Sequence, residues 1–254
     1  MSDEQVSAAS TPAVPRDAPH WAANVSRLTA DATRPATTDN VTGRRLTGPV
    51  QGFGKMWQKT YTVDIGDAAT PQQAIAAWKA DFGSFWPKGN RYNGALTGIA
   101  PGDVALLDLS MPGGVRLSTG VMVLYADDES FTLMTPQGHM FAGWITNSAF
   151  DRDGATIVQA QVLMRANDPL YELGLTMGGH SKEDAFWQQT LTALAAHLGA
   201  PAPQPQVQAV CVDRRRQWRR AGNIWHNAAI RTVLHGLATP LGLARSHKRR
   251  GSGR

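Results

Sequence analysis

The chain contains one cysteine, Cys211, among 254 residues. An internal disulfide is therefore excluded, and so is a cluster of thiolate metal ligands. No apolar run approaches the roughly 18 residues needed to cross a bilayer as a helix. The N-terminus lacks a basic segment followed by an apolar one, so it does not read as a secretory leader. These absences point to the cytoplasm and leave peripheral attachment to a membrane open.

Chemical motifs are scarce too. "GALTGIAPG" at 94–102 is glycine-rich but has neither the spacing nor the lysine of a phosphate loop. Ser118 in "STG" has no base spaced to activate it. No helix-turn-helix, zinc-finger or RNA-binding pattern occurs, so nucleic acid ranks below other partners. His139 has no His, Cys or Asp beside it at ligand spacing, which indicates no metal site. Nothing calls for a cofactor.

Acidic residues are nearly missing from the C-terminal end. Residues 212–254 hold 11 Lys/Arg and one acid, Asp213, whereas residues 1–211 hold 14 Lys/Arg and 19 acids. The basic character thus belongs to the tail, whose partner would be an anionic surface.

Four regions follow from composition and periodicity. Residues 1–47, rich in Ala, Thr, Ser, Pro and Asp, read as a disordered arm. Residues 48–199 read as one domain, 200–210 as a Pro-rich linker, and 211–254 as a basic helical extension and tail. Inside the domain, Trp57, Tyr61, Val63 and Ile65 alternate as in a strand. Thr70 and Pro71 then open an amphipathic helix carrying Ile75, Trp78, Phe82 and Phe85. Five strand-like segments follow between 103 and 166, joined by the short turns "MPGG", "DDE" and "DRDG", which require antiparallel hairpins. A long helix over 181–198 closes the domain. Ser181 with Asp184 resembles its capping box, and Gly199 suits its C-cap.

A strand, a helix, a run of antiparallel strands and a long covering helix define an α+β domain. This order, with "GHMFAGW" and "DRDGATIVQAQVLMRANDPLYEL", resembles the helix-grip fold of the START-like, or SRPBCC, superfamily. Within it the pattern is similar to a bacterial family of unknown function with a "GH…G" strand and a "DG" hairpin. The resemblance implies a curved antiparallel sheet wrapped around a long helix, with a cavity for a hydrophobic small molecule. It implies no particular catalytic residue.

A four-residue loop over 151–154 would pair Phe150 with Ala155, Trp144 with Gln161 and His139 with Ala166. Strand parity then sets His139 on the buried face and Trp144 on the outer one. His139 is either a structural histidine or the polar anchor of a ligand. Trp144 is either cross-strand cover or a docking point for the C-terminal segment. Phe141, Ile145, Met164, Trp78, Phe82, Trp187 and Leu191 complete the expected lining of an internal pocket between the long helix and the sheet. A cluster of His180, Glu183 and Asp184 marks that helix's start.

In the tail, Trp218, Ala221, Trp225, Ala229, Val233 and Leu237 recur at three or four residues, as on one helix. Arg215, Arg216, Arg219 and Arg220 crowd its N-terminal end, where they oppose the helix dipole. With Trp218 and Trp225, they are the expected contacts to an anionic surface such as a membrane. Three functions remain open at this point. They are binding of a hydrophobic or amphipathic molecule, cyclase- or aromatase-like catalysis on such a molecule, and regulation through the basic tail.

Overall fold

The computed structural model describes residues 18–30, 38–95, 98–111, 114, 116–201 and 203–234. Among them lies one antiparallel sheet with strands β1 (Met56–Asp64), β2 (Arg91–Asn93), β3 (Val104–Ser110), β4 (Arg116–Ala126), β5 (Ser130–Met134), β6 (Phe141–Arg152), β7 (Ala155–Ala166) and β8 (Gln206–Asp213). Its order is β2-β3-β4-β5-β6-β7-β1-β8. Helix α1 (Pro71–Ala80) links β1 to β2, and helices α2 (Pro169–Gly174) and α3 (His180–His197) follow β7. The fold class is α+β, with the long α3 held against the concave sheet.

Parity builds the core. Trp57, Lys59, Tyr61 and Val63 of β1 pair with Met164, Val162, Ala160 and Val158 of β7, and all face inward. Onto them α3 lays Leu191 and Leu194, and α1 lays Ile75 and Trp78. Trp78 is fully buried and meets Phe131 edge-on at 5.7 Å. Thr70 caps α1 as expected, accepting from Gln73 N while the Gln73 side chain accepts from Thr70 N.

The β6–β7 hairpin is tighter than the four-residue loop inferred from sequence. Arg152 pairs directly with Ala155, leaving Asp153 and Gly154 as a two-residue turn. Both have positive φ, 55° and 83°, as a type I′ turn requires. Partners shift by two residues, so Trp144 meets Leu163 and Phe141 meets Ala166. An even shift preserves the inferred faces. On the outer face Trp144 is approached by Gly48 of the N-terminal segment, where a Cβ would stand 3.6 Å from the indole. The C-terminal segment docks elsewhere.

Four further expectations are corrected. Residues 18–30 and 38–47, taken from sequence as disordered, pack on the outside of β3 and β4. Leu28 and Val41 are buried there against Leu106 and Met122, and Ala22 N donates to Leu124 O at 2.7 Å. This segment has no apolar period because it binds a sheet face through single residues. Residues 1–17 and 31–37 lie outside the described residues.

Second, the linker ends early. Residues 206–213 form β8, paired along β1 from Thr62↔Gln206 to Met56↔Asp213. Its alternation was masked by the neighbouring prolines and by glutamines suited to an exposed edge strand.

Third, Ser181 does not cap the long helix. The helical run begins at Pro169, where Asp168 Oδ1 accepts from Leu170 N and Tyr171 N. It passes through a wide turn at Leu175–Gly179, with Gly178 at φ 107°, into α3. Gly199, at φ 85°, ends it as expected.

The C-terminal segment is a strap across one end of the sheet. A 3-10 helix, Trp218–His226, stops at Asn227, and helical backbone resumes over 228–234. The single helix inferred from spacing is broken because Asn227 acts as a cap. Its Oδ1 accepts from Ile230 N at 3.0 Å, and its Nδ2 donates to Asp168 Oδ2 at 2.7 Å. Leu237 lies outside the described residues. Ala228 N donates to Gly138 O at 2.9 Å, and Thr232 Oγ1 accepts from Asn40.

Gly138 has φ 93°, and a Cβ there would stand 2.1 Å from the His226 carbonyl oxygen. Gly138→Ala should therefore loosen the strap and cost about 1–3 kcal/mol of stability. Limited proteolysis should show faster cleavage near Arg219 and Arg220 in the variant.

Candidate functional site

Trp78, Phe82, Met164 and Leu191, four of the expected lining residues, are buried in the core. Phe141, Ile145 and Trp187 pack at its rim. Phe82 meets Phe131 at 5.3 Å and Trp86 at 5.4 Å, so the inner space around α1 is closely packed. An open groove of about 570 Å³ lies instead beside α3, lined by Ser84, Phe85, Trp86, Pro87, Lys88, Gln189 and Ala193.

His139 is not among the residues lining this groove; it lies in the turn before β6, beside Phe141. It is 5% exposed. Its Nδ1 accepts from Phe141 N at 3.0 Å, and its carbonyl accepts from Asn167 Nδ2 at 2.9 Å. Burial pushes its pKa down to about 4, against an opposing pull from the Phe141 carbonyl. Its ring is neutral and engaged with its own turn, as a structural histidine would be.

The ionisable cluster lies where β1 meets the start of α3. Lys59 points inward from β1 between Trp57 and Tyr61, with a side chain 2% exposed. Its Nζ donates to Asp184 Oδ1 at 2.7 Å and to the His180 carbonyl at 3.3 Å. Tyr61 OH donates to the same Asp184 oxygen at 2.8 Å. Glu183 Oε2 lies 3.1 Å from Lys59 Nζ and 3.9 Å from His180 Nδ1. These are Coulombic contacts without hydrogen-bond geometry. Both Glu183 oxygens and His180 Nδ1 are buried with no hydrogen-bond partner among the described residues. Burial, and then the charge of Glu183, raise the Tyr61 pKa well above the usual phenol range.

Aromatic rings connect this cluster to the groove. His180 stacks on Trp57 at 4.9 Å. Tyr61 meets Trp187 at 6.4 Å, Trp187 meets Phe186 at 5.2 Å, and Phe186 meets Trp86 at 5.2 Å. Trp86 Nε1 is also buried without a partner among the described residues. The site is thus an arc of buried and half-buried rings with a carboxylate-rich cluster at one end and an open groove at the other.

Sequence reasoning placed His180, Glu183 and Asp184 together but missed Lys59. The signal was present: Lys59 has the parity of Trp57 and Tyr61 and so had to face inward. Among the described residues no group of three or more His, Cys, Asp or Glu is placed to hold a metal ion. No helix among them is long and apolar enough to cross a membrane.

No protein-family model and no curated protein matches the chain. Solved structures of similar course include Ms6760 from Mycobacterium smegmatis, at 16% identity and TM-score 0.41 over 56% of this chain and 91% of that one. The di-domain ARO/CYC StfQ from the steffimycin biosynthetic pathway matches at 10% identity and TM-score 0.46, over 57% of this chain and 51% of its own. Ara h 8.0201 matches at 12% and 0.38, over 57% and 99%. The fold is a helix grip. That statement rests on this chain's own sheet and helix; likeness at these scores carries no argument about function.

Proposed function

We propose that the chain binds an amphipathic small molecule along the aromatic arc, with its polar end at Glu183 and His180. The observation that supports this is the set of buried polar atoms beside apolar rings that have no hydrogen-bond partner among the described residues. Folded proteins pair the great majority of such atoms, so these are where a ligand's polar group would be matched. Two carboxylates face one ammonium in the cluster, so the preferred head donates hydrogen bonds or carries positive charge. The groove has the size of ligand sites in general, about 300–1,000 Å³.

Native mass spectrometry of the purified chain should reveal a co-purified small molecule. In a direct titration, dodecylamine should bind at least about tenfold tighter than dodecanoate, and Glu183→Gln should erase that preference. No adduct and no binding of either probe would defeat the proposal.

A second reading, chemistry on the bound molecule, is favoured by the hydrogen-bonded run from Tyr61 through Asp184 to Lys59. Such a run can pass a proton. A cyclase- or aromatase-like activity predicts turnover of a poly-β-ketone surrogate that Tyr61→Phe removes without weakening its binding. Turnover unaffected by Tyr61→Phe, or none at all, leaves binding as the function.

A further inference from the structure

The strap uses one set of side chains to dock and leaves another outward. Asn223, Asn227, Ala228 and Thr232 hold it to the domain. Trp218 and Trp225 remain 74% and 84% exposed. Trp218 is braced edge-on at 5.3 Å by Phe53, so its position is set while its outer side meets solvent. Arg214, Arg215, Arg219 and Arg220 are exposed around it. Arg214, Arg219 and Arg220 form no ion pair among the described residues. The nearby acids are already engaged, Asp213 by Arg165 and Glu172 by Arg216.

Helix α2 lies beside the strap, joined to it by the Arg216–Glu172 pair at 2.9 Å and by Ala229 N donating to Tyr171 OH at 3.1 Å. It adds Leu170 and Leu173, 44% and 55% exposed, and Met177 in the turn after it is 78% exposed. The strap, the adjoining α2 and the turn after it thus expose five large apolar side chains on neighbouring elements, a feature of interaction sites.

From these features we infer that the strap and α2 form a preformed docking surface for an anionic lipid bilayer. Indoles favour the headgroup boundary, aliphatic chains reach the acyl region, and arginines pair with lipid phosphate and carboxylate. A nucleic acid would match the arginines but would leave Leu170, Leu173 and Met177 without a role. The inference is independent of the ligand proposed for the aromatic arc. That arc runs from Tyr61 along Trp187 and Phe186 to Trp86, whereas this surface is built from exposed side chains of the strap, α2 and the turn after it.

The test uses the full-length chain and vesicles of phosphatidylcholine with 30% phosphatidylserine. Co-sedimentation is expected at 50 mM salt, falling at least about tenfold by 300 mM as charges are screened. Pure phosphatidylcholine should retain little protein. Arg219→Gln/Arg220→Gln should weaken partitioning by about 30-fold, since each basic residue near such a surface contributes about fivefold.

Trp218→Ser/Trp225→Ser separates this surface from the basic terminus of the chain. Quenching by brominated lipid should be present in the parent and largely lost in this variant. Circular dichroism checks that both variants remain folded. Absence of vesicle binding at low salt overturns the inference. So does binding that ignores both tryptophans, because charge in the terminus alone would then suffice. Tighter binding to duplex DNA than to vesicles, weakened by the arginine changes alone, would assign the surface to nucleic acid and overturn it too.

Discussion

Lys59→Met lowers the unfolding free energy by about 3–5 kcal/mol, the usual loss when a buried ion cluster keeps its acids but not its base. Glu183, with a side chain 6% exposed, then has no countercharge on the sheet, the His180 carbonyl loses its donor, and Asp184 keeps only the Tyr61 hydroxyl. Methionine matches the lysine stem in volume, so packing contributes little to the change. Glu183→Gln and Asp184→Asn placed on top of Lys59→Met should return much of the loss, because no uncompensated charge remains. Urea unfolding of the three proteins measures this. A Lys59→Met midpoint equal to the parent's would mean that water reaches the cluster freely.

A second large effect is a pH dependence. His139 titrates near 4 when folded, against 6.5 in an unfolded chain. Between those values the unfolded state binds the extra proton, so stability rises with pH across the window. It is fully present above about 6.5 and is lost as pH falls towards 4. The span corresponds to about 3 kcal/mol. Carboxylates titrate in the same range, so the informative quantity is a difference. His139→Gln keeps an acceptor for the Phe141 amide but takes up no proton. Its stability should therefore be flatter than the parent's from pH 6.5 to 4. Parallel curves for the two proteins would show that water hydrates the ring.

The sequence exposed the fold where a periodic pattern met a geometric rule. Alternation in 56–64 and 141–166 sets the faces of β1, β6 and β7, and these hold even though the hairpin register moved by two. Thr70, Pro71 and Gln73 announce the start of α1, and Gly199 announces the end of α3. Where one residue serves two purposes, the sequence was silent. Asp184 at the fourth position of a helix looks like a capping acid, yet the Lys59 ammonium competes for it more strongly than a backbone amide. Asn227 looks like a polar interruption in a stripe, but its two ends cap a helix and bond Asp168. Of the aromatic arc, Trp187 was expected as ligand lining and Trp57 as a strand residue. The arc's joining into one path depends on α3 packing across β1, and β1 is itself held by β7 and β8, a pairing no local pattern specifies.

That pairing has a consequence for how the chain is made. β1 is synthesised early, yet its neighbours are β7 and β8: Trp57 pairs with Met164, and Gln58 with Val210. A ribosome must add roughly 100 further residues before the first of these partners exists and roughly 150 before the second. During that interval β1 has two open edges and a face carrying Trp57, Tyr61 and Val63, the condition under which nascent strands recruit one another. Lys59 interrupts that face with a charge, and the same side chain that later sits at the cluster protects the waiting strand from its copies on neighbouring ribosomes.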